Sequence, residues 1–277
     1  MNTVLQRRLR PLSLLLAGLL VSAESRAEDD LATRASADIA AAHAAIAADN
    51  PAELWEIRGA ALWRTPAGPQ HVSLEQCDLG LGPGQVAGAS AQLPRWFADA
   101  GQVMDLEQRL VWCRMAQQGL RREDAEADHF GDGARQSSLE ALSAWIASQS
   151  RGQPVTVPAS HPEEQRLLAL GRRFFFYRAG PYDFSCATCH ATSDRRVRLQ
   201  PVPNLTDPAE ARTAWTTWPA YRLSQGEVRT MQHRLYDCLR QQRLPEAVYG
   251  SELITALSLY LAHQAEGGRM AAPGLKR

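Results

Sequence analysis

Cys186-Ala187-Thr188-Cys189-His190 is a C-x-x-C-H run, and its reading decides the fold. Two residues between the cysteines put both sulfurs on one turn, where each can add to a vinyl group of a single haem. The histidine that follows can then bring its imidazole under the iron as the proximal ligand. A thioredoxin-like dithiol would need a βαβ setting, and half of a zinc site would need a companion cysteine pair. Neither accompanies this motif. A helix carrying Phe174, Phe175 and Phe176 precedes it, and a loop with Pro201, Pro203, Asn204 and Pro208 follows. That setting suits a small cytochrome c fold, in which a covalently held haem takes the place of a large core.

The rest of the 277-residue chain is consistent with export and with a mainly α architecture. Arg7, Arg8 and Arg10 precede an apolar run from Leu12 to Val21, and Ser25 and Ala27 have the small side chains of a cleavage site. A run of about ten apolar residues is too short to span a bilayer, so residues 1–27 read as a signal peptide. The expected destination is the periplasm, with no membrane span in the mature protein. With 45% hydrophobic and 22% charged residues the chain is neither disordered nor a multi-span membrane protein. Thirty basic residues balance thirty acidic ones, which gives no reason to expect nucleic acid as a partner.

Helical signals recur along the mature chain: an alanine-rich segment over 32–48, then 52–62, 106–119 and 138–150. The stretch 79–91 holds four glycines and reads as loop. Proline and glycine between 151 and 162 mark a linker. Beyond it come helices over 163–178, 225–240 and 252–263, and little strand patterning appears anywhere. The two halves share a helix–loop–helix plan. The expected organisation is 28–152 as one cytochrome c-like domain and 153–277 as a second that bears the haem.

The other side of the iron has five candidate ligands: Met231, His233, Cys238, His263 and Met270. Methionine would suit a plain electron carrier. Cys238 differs because the cysteine count singles it out. Cys186 and Cys189 are committed to haem, and Cys77 and Cys113 can pair in the first half. One exported thiol is then left over, on the apolar stripe of the 225–240 segment.

The stretch Pro219-Ala220-Tyr221-Arg222-Leu223-Ser224-Gln225-Gly226-Glu227-Val228-Arg229-Thr230-Met231-Gln232-His233-Arg234, followed by Cys238-Leu239-Arg240-Gln241, resembles the signature of the SoxA family. Similar blocks are Asn50-Pro51-Ala52-Glu53-Leu54-Trp55, Asp105-Leu106-Glu107-Gln108-Arg109, Tyr249-Gly250-Ser251-Glu252-Leu253 and Pro273-Gly274-Leu275-Lys276-Arg277. SoxA proteins are the larger cytochrome subunit of SoxAX, an L-cysteine S-thiosulfotransferase. The resemblance implies oxidative coupling of thiosulfate to a cysteine of a SoxYZ-like carrier, a SoxX-like cytochrome partner and a cytochrome c electron acceptor. It implies covalent haem c on Cys186 and Cys189, His190 as proximal ligand, and Cys238, a persulfide in the family, as distal ligand and catalytic sulfur. Arg234 matches the family's active-site arginine. Its spacing from Cys238 puts both on one helix face, and its guanidinium offers a charged fork for a sulfonate.

Many relatives carry a second haem in the first half. Ser73-Leu74-Glu75-Gln76-Cys77-Asp78 has neither a second cysteine nor a histidine at the required spacing. The resemblance then implies a single haem and, as in monohaem relatives, a Cys77–Cys113 disulfide in place of the other. From Arg166 to Arg243 there are 13 arginines against 6 acids, with Arg195, Arg196 and Arg198 close to the haem motif. Such a balance would draw in a dianion and an acidic carrier arm.

Overall fold

The computed structural model describes residues 30–31, 33–35, 37–39, 41–42, 44–45, 49–126, 137–197, 200–245 and 248–276. The proposed signal peptide and Arg198 lie outside them. The chain divides at residue 50. Before that point the described residues 30–45 are helical and exposed, with Arg34 paired to Asp30 one turn earlier at 2.5 Å.

From residue 50 onward the elements run α1 (Ala52–Arg64), β1 (Arg95–Phe97), β2 (Gln102–Met104), α2 (Leu106–Ala116), α3 (Arg122–Glu126) and α4 (Ser138–Ser148), then α5 (Pro162–Phe176), α6 (Cys186–His190), β3 (Arg196–Val197), β4 (Gln200–Pro201), α7 (Pro208–Trp215), β5 (Ala220–Arg222), β6 (Glu227–Arg229), α8 (Met231–Gln241), α9 (Glu252–Gln264) and β7 (Gly274–Lys276). Helices dominate. Among the described residues none is long and apolar enough to cross a membrane.

Two helix crossings organise this unit, and they are built alike. In the first, α1 meets α4 where a Cβ on Gly59 would stand 2.0 Å from the Ala141 carbonyl oxygen and 2.8 Å from Trp145 Cβ. In the second, α5 meets α9 where a Cβ on Gly171 would stand 2.0 Å from the Ala256 carbonyl oxygen and 2.9 Å from Tyr260 Cβ. Only glycine lets the backbones approach so closely. One turn beyond each glycine an aromatic side chain packs on the partner helix: Trp63 against Trp145 at 5.6 Å, Phe175 against Tyr260 at 5.2 Å. Edge or tilted contacts of this kind add to the burial of large apolar rings.

The Cys77–Cys113 disulfide is formed and lies in the first crossing's core, among Trp63, Leu74, Leu110 and Leu142. Nearby Arg109 is 1% exposed. Its guanidinium grips Asp99 with two bonds of 3.0 and 2.8 Å, donates to the Asp78 carbonyl at 2.6 Å, and lies 4.2 Å from the rings of both Phe97 and Trp112. A buried charge is tolerated when its donors are used in this way.

Three expectations need correction. Residues 225–240 are not one helix: Gly226 turns at φ +72°, Glu227–Arg229 is strand β6, and the helix begins only after the Thr230 cap. Val228 matched a helical period by chance and is buried on the sheet instead. Pro208 is the first residue of α7 rather than part of a long loop, because Asp207 accepts from the N–H groups of Ala209 and Glu210. The stretch 151–162 is no free tether. Val155 and Val157 are buried, and residues 152–155 pair with 267–270, as in Met270 N–H to Gln153 O at 2.9 Å.

A three-stranded sheet in the order β6-β5-β7 closes the unit. β5 and β7 are parallel, with Ala220 opposite Gly274, Tyr221 opposite Leu275 and Arg222 opposite Lys276. This register brings residues 274–276 beside the segment that leads into α8.

Candidate active site

Helix α6 is a single turn held by its own cap. Ser185 accepts from the Thr188 N–H, and the Thr188 hydroxyl accepts from the Ser185 N–H at 3.0 Å. Cys186 and Cys189 therefore share one face, three residues apart. The Nδ1 of His190 lies 2.9 Å from the Pro203 carbonyl oxygen, which can only accept, so Nδ1 carries the proton and Nε2 is left bare. Burial pushes the His190 pKa down, aided by the nearby charge of Arg234. A neutral imidazole with a fixed tautomer is what a metal requires.

Cys186 packs into an apolar cluster with Phe175, Leu257, Leu261, Leu205 and Leu235. A C-x-x-C turn, an anchored histidine and an apolar wall suit covalent haem. The second aromatic crossing supplies that wall through Phe175 and Leu257.

Helix α8 delivers the fifth cysteine to the same place. Thr230 caps it by accepting from the His233 N–H. Cys238 is partly buried and sits among the other two free thiols: burial and the neighbouring Cys238 push the Cys186 thiol up to about 12. Burial also raises the Cys238 thiol, against the opposing pull of Arg234 and Arg222. The charge of Arg234 thus acts on both His190 and Cys238. Its guanidinium is 3.5 Å from Asp237, which also accepts from Arg240 at 2.8 Å and Gln241 at 2.6 Å.

The other sequence candidates go elsewhere. Met231 and Met270 line a separate small cavity with Trp215 and Trp218. His263 lies in a groove between α5 and α9 beside Arg172 and Arg173. His233 is 3.5 Å from the Tyr249 hydroxyl, its pKa pushed down to about 4 by burial and by Arg229. Arg195 and Arg196 are exposed. Sequence reasoning gave no role to Arg222 and Asp237, whose charges act on Cys238, nor to Lys276, which lies opposite Arg222 in the sheet. The only signal was that Arg222 and Lys276 stand in two of the blocks that resemble the SoxA family, while Asp237 stands in none.

The model of the SoxA/TsdA cytochrome c domain matches residues 58–155. The chain is 48% identical over 251 residues to the L-cysteine S-thiosulfotransferase subunit SoxA of Hydrogenophilus thermoluteolus, covering 91% of each. It is 30% identical over 228 residues to a SoxA subunit of Hydrogenobacter thermophilus, covering 82% of each. The crystal structure of SoxXA from P. pantotrophus superposes with a TM-score of 0.70 at 25% identity, over 85% of this chain and 83% of that one. Shared length, sequence identity and a shared fold lead to one conclusion: the chain belongs to the SoxA family of L-cysteine S-thiosulfotransferase subunits.

Proposed function

We propose that Cys238 is the catalytic sulfur of this thiosulfotransferase subunit and that Arg234 holds the sulfonate of thiosulfate beside it. The observation that carries this reading is the meeting of Cys238 and Arg234 with the C-x-x-C-H thiols and with His190. The reaction joins a carrier thiol to thiosulfate: R–SH + S2O3²⁻ gives R–S–SSO3⁻, a proton and two electrons. One haem c, which Cys186, Cys189, His190 and Cys238 would hold, would supply the one-electron redox chemistry. The chain's own residues bind, orient and exclude water. Arg234 orients the dianion with a charged fork, and Asp237 limits how tightly it closes. The apolar wall around Cys186 keeps the reacting sulfurs in a low-dielectric setting, which strengthens the hold of Arg234 on the anion.

The two alike crossings support two cytochrome c-like domains, 28–152 and 153–277, of which the first keeps a disulfide where a haem turn is absent. A family model that ends at residue 155 fits the same boundary. The proposed setting is the periplasm, with a SoxX-like subunit as partner, a SoxYZ-like carrier bringing the acceptor cysteine, and a cytochrome c taking the electrons.

Cys238→Ala in the assembled complex tests the reading. Turnover with the carrier should vanish while covalent haem content stays that of the parent. Unimpaired turnover would refute the role of Cys238.

A further inference from the structure

We propose that Arg222 and Lys276 form a second anion seat beside Cys238, which takes sulfonate oxygens of thiosulfate together with Arg234. This rests on the reading of Cys238 and Arg234 above and extends it to residues on a different element.

The strand register builds the seat. β5 and β7 are parallel, with Arg222 directly opposite Lys276, and the Leu223 N–H donates to the Lys276 carbonyl at 2.8 Å. Both strands are fixed from behind. Ala220 is fully buried, a Cβ on Gly274 would stand 2.6 Å from the Thr217 carbonyl oxygen, and Tyr221 packs edge-on against Trp55 at 5.5 Å. Two cations opposite each other on neighbouring strands repel and destabilise the sheet. Neither side chain forms an ion pair with a carboxylate among the described residues, and the charge of Asp237 offsets only part of the strain on Arg222. Burial lowers the pKa of both; Arg234 adds to the effect on Arg222, and Arg222 to that on Lys276. Their charge is therefore partly desolvated and unspent.

The local charge count points to a dianion. Asp237 offsets Arg234 and is already shared with Arg240. Arg222 and Lys276 have no such carboxylate partner, so positive charge is left in excess here, and the charges of Arg234, Asp237 and Cys238 all act on Arg222. Thiosulfate carries two negative charges, shared between its sulfonate oxygens and its terminal sulfur, and its three oxygens are the better hydrogen-bond acceptors. Seating that end leaves its terminal sulfur, the atom that forms the new bond, unencumbered. Acidic side chains of a carrier offer a different chemistry, because they would need a wide exposed rim rather than two partly buried cations in one register row.

Arg222→Gln and Lys276→Gln, each in the holo complex with its cytochrome partner, test the proposal. The KM for thiosulfate should rise about tenfold for each cation removed, the usual worth of one charge-assisted hydrogen bond. The KM for the carrier and the covalent haem content should not move, and Lys276→Arg should restore the parent KM. Calorimetric titration of the same complexes with thiosulfate, without carrier, should show the same loss of affinity. Unchanged thiosulfate KM and affinity would overturn the seat, as would a rise confined to the carrier KM. Neither result would touch Cys238, whose own test is the loss of turnover in Cys238→Ala.

Discussion

Gln232, in the first turn of the helix that carries Cys238, donates its side-chain amide to Asp105 of the opposite half of the molecule at 2.6 Å. The same Gln232 accepts from the Gly250 N–H at 2.8 Å, and Gln108 donates to the Gly250 carbonyl at 2.8 Å. Glu107 adds bonds from the Thr230 hydroxyl and the Gln232 N–H. The N-terminus of α8 is thus clamped by the first turn of α2. The segment from 105 to 109 acts here at a distance: it fixes the start of the helix that carries Arg234 and Cys238.

The clamp makes stability depend on pH. Burial pushes Asp105 up to about 6, and burial together with the charge of Asp105 raises Glu107 well above its ordinary value. One oxygen of Glu107 has no partner in a 70 Å³ cavity shared with Ser143 and Ser258. Carboxyls whose folded pKa is raised bind protons more tightly in the folded state. Their stabilisation is complete below about pH 4 and is lost as pH rises through about 6 and beyond. Glu107→Gln keeps the acceptor and removes the charge. Thermal melts should show the variant more stable than the parent at pH 7.5 and nearly equal to it at pH 4. A variant that melts lower than the parent at pH 7.5 would contradict this account.

The alike crossings predict unlike consequences. Gly59→Ala and Gly171→Ala each place a methyl within 2.0 Å of a carbonyl oxygen on the facing helix. Each should cost about 2–3 kcal/mol through forced separation of the helices, a Tm loss of roughly 5–10 °C for a unit of this size. Only Gly171→Ala disturbs the wall of Phe175 and Leu257 against Cys186. Covalent haem per chain, measured by pyridine haemochrome, should fall in Gly171→Ala and hold in Gly59→Ala. Equal haem loss in both would argue against separate roles for the two crossings.

The site was legible in sequence where its chemistry is local. C-x-x-C-H states its own geometry, and the pairing of Cys77 with Cys113 left Cys238 as the thiol without a mate. Arg222 and Lys276 were not legible as a pair, because 54 positions separate them and only strand register unites them. Apolar spacing misled at Val228, whose match to a 3.6-residue period hid the turn at Gly226 and the cap at Thr230. Proline misled twice. Pro208 opens a helix because Asp207 precedes it, and the proline-rich stretch 151–162 enters the core because Val155 and Val157 alternate with its polar residues.

The disulfide should matter to stability more than to catalysis. Cys77 and Cys113 are 36 positions apart, which in the chain-entropy picture corresponds to about 4 kcal/mol. Cys77→Ser/Cys113→Ser should lower the Tm by roughly 8–16 °C and leave the KM for thiosulfate near the parent value below the transition. A reductant should lower the parent's Tm toward that of the variant and leave the variant unaffected. A parent and variant with equal melts under oxidising conditions would remove the stabilising role.

Asp237 tests the charge balance around Cys238 from the opposite direction. Burial works against its ionisation, but bonds from Gln241 and Arg240 and the charge of Arg234 hold its carboxyl below the usual range. It is therefore ionised at neutral pH and draws on the Arg234 guanidinium at 3.5 Å. Asp237→Asn removes one negative charge where a dianion is to bind and frees Arg234 to turn toward it. A partly exposed pair of this kind is worth about 1 kcal/mol or less, so the KM for thiosulfate should fall by up to about fivefold. The gain should shrink as ionic strength rises, since surface charges are screened within about 10 Å at 0.1 M salt. Helix α8 loses two same-helix ion pairs in the exchange, each worth a few tenths of a kcal/mol, so its Tm should drop by no more than about 3 °C. A higher KM for thiosulfate in Asp237→Asn would mean that Asp237 aims Arg234 at the substrate rather than competing for it.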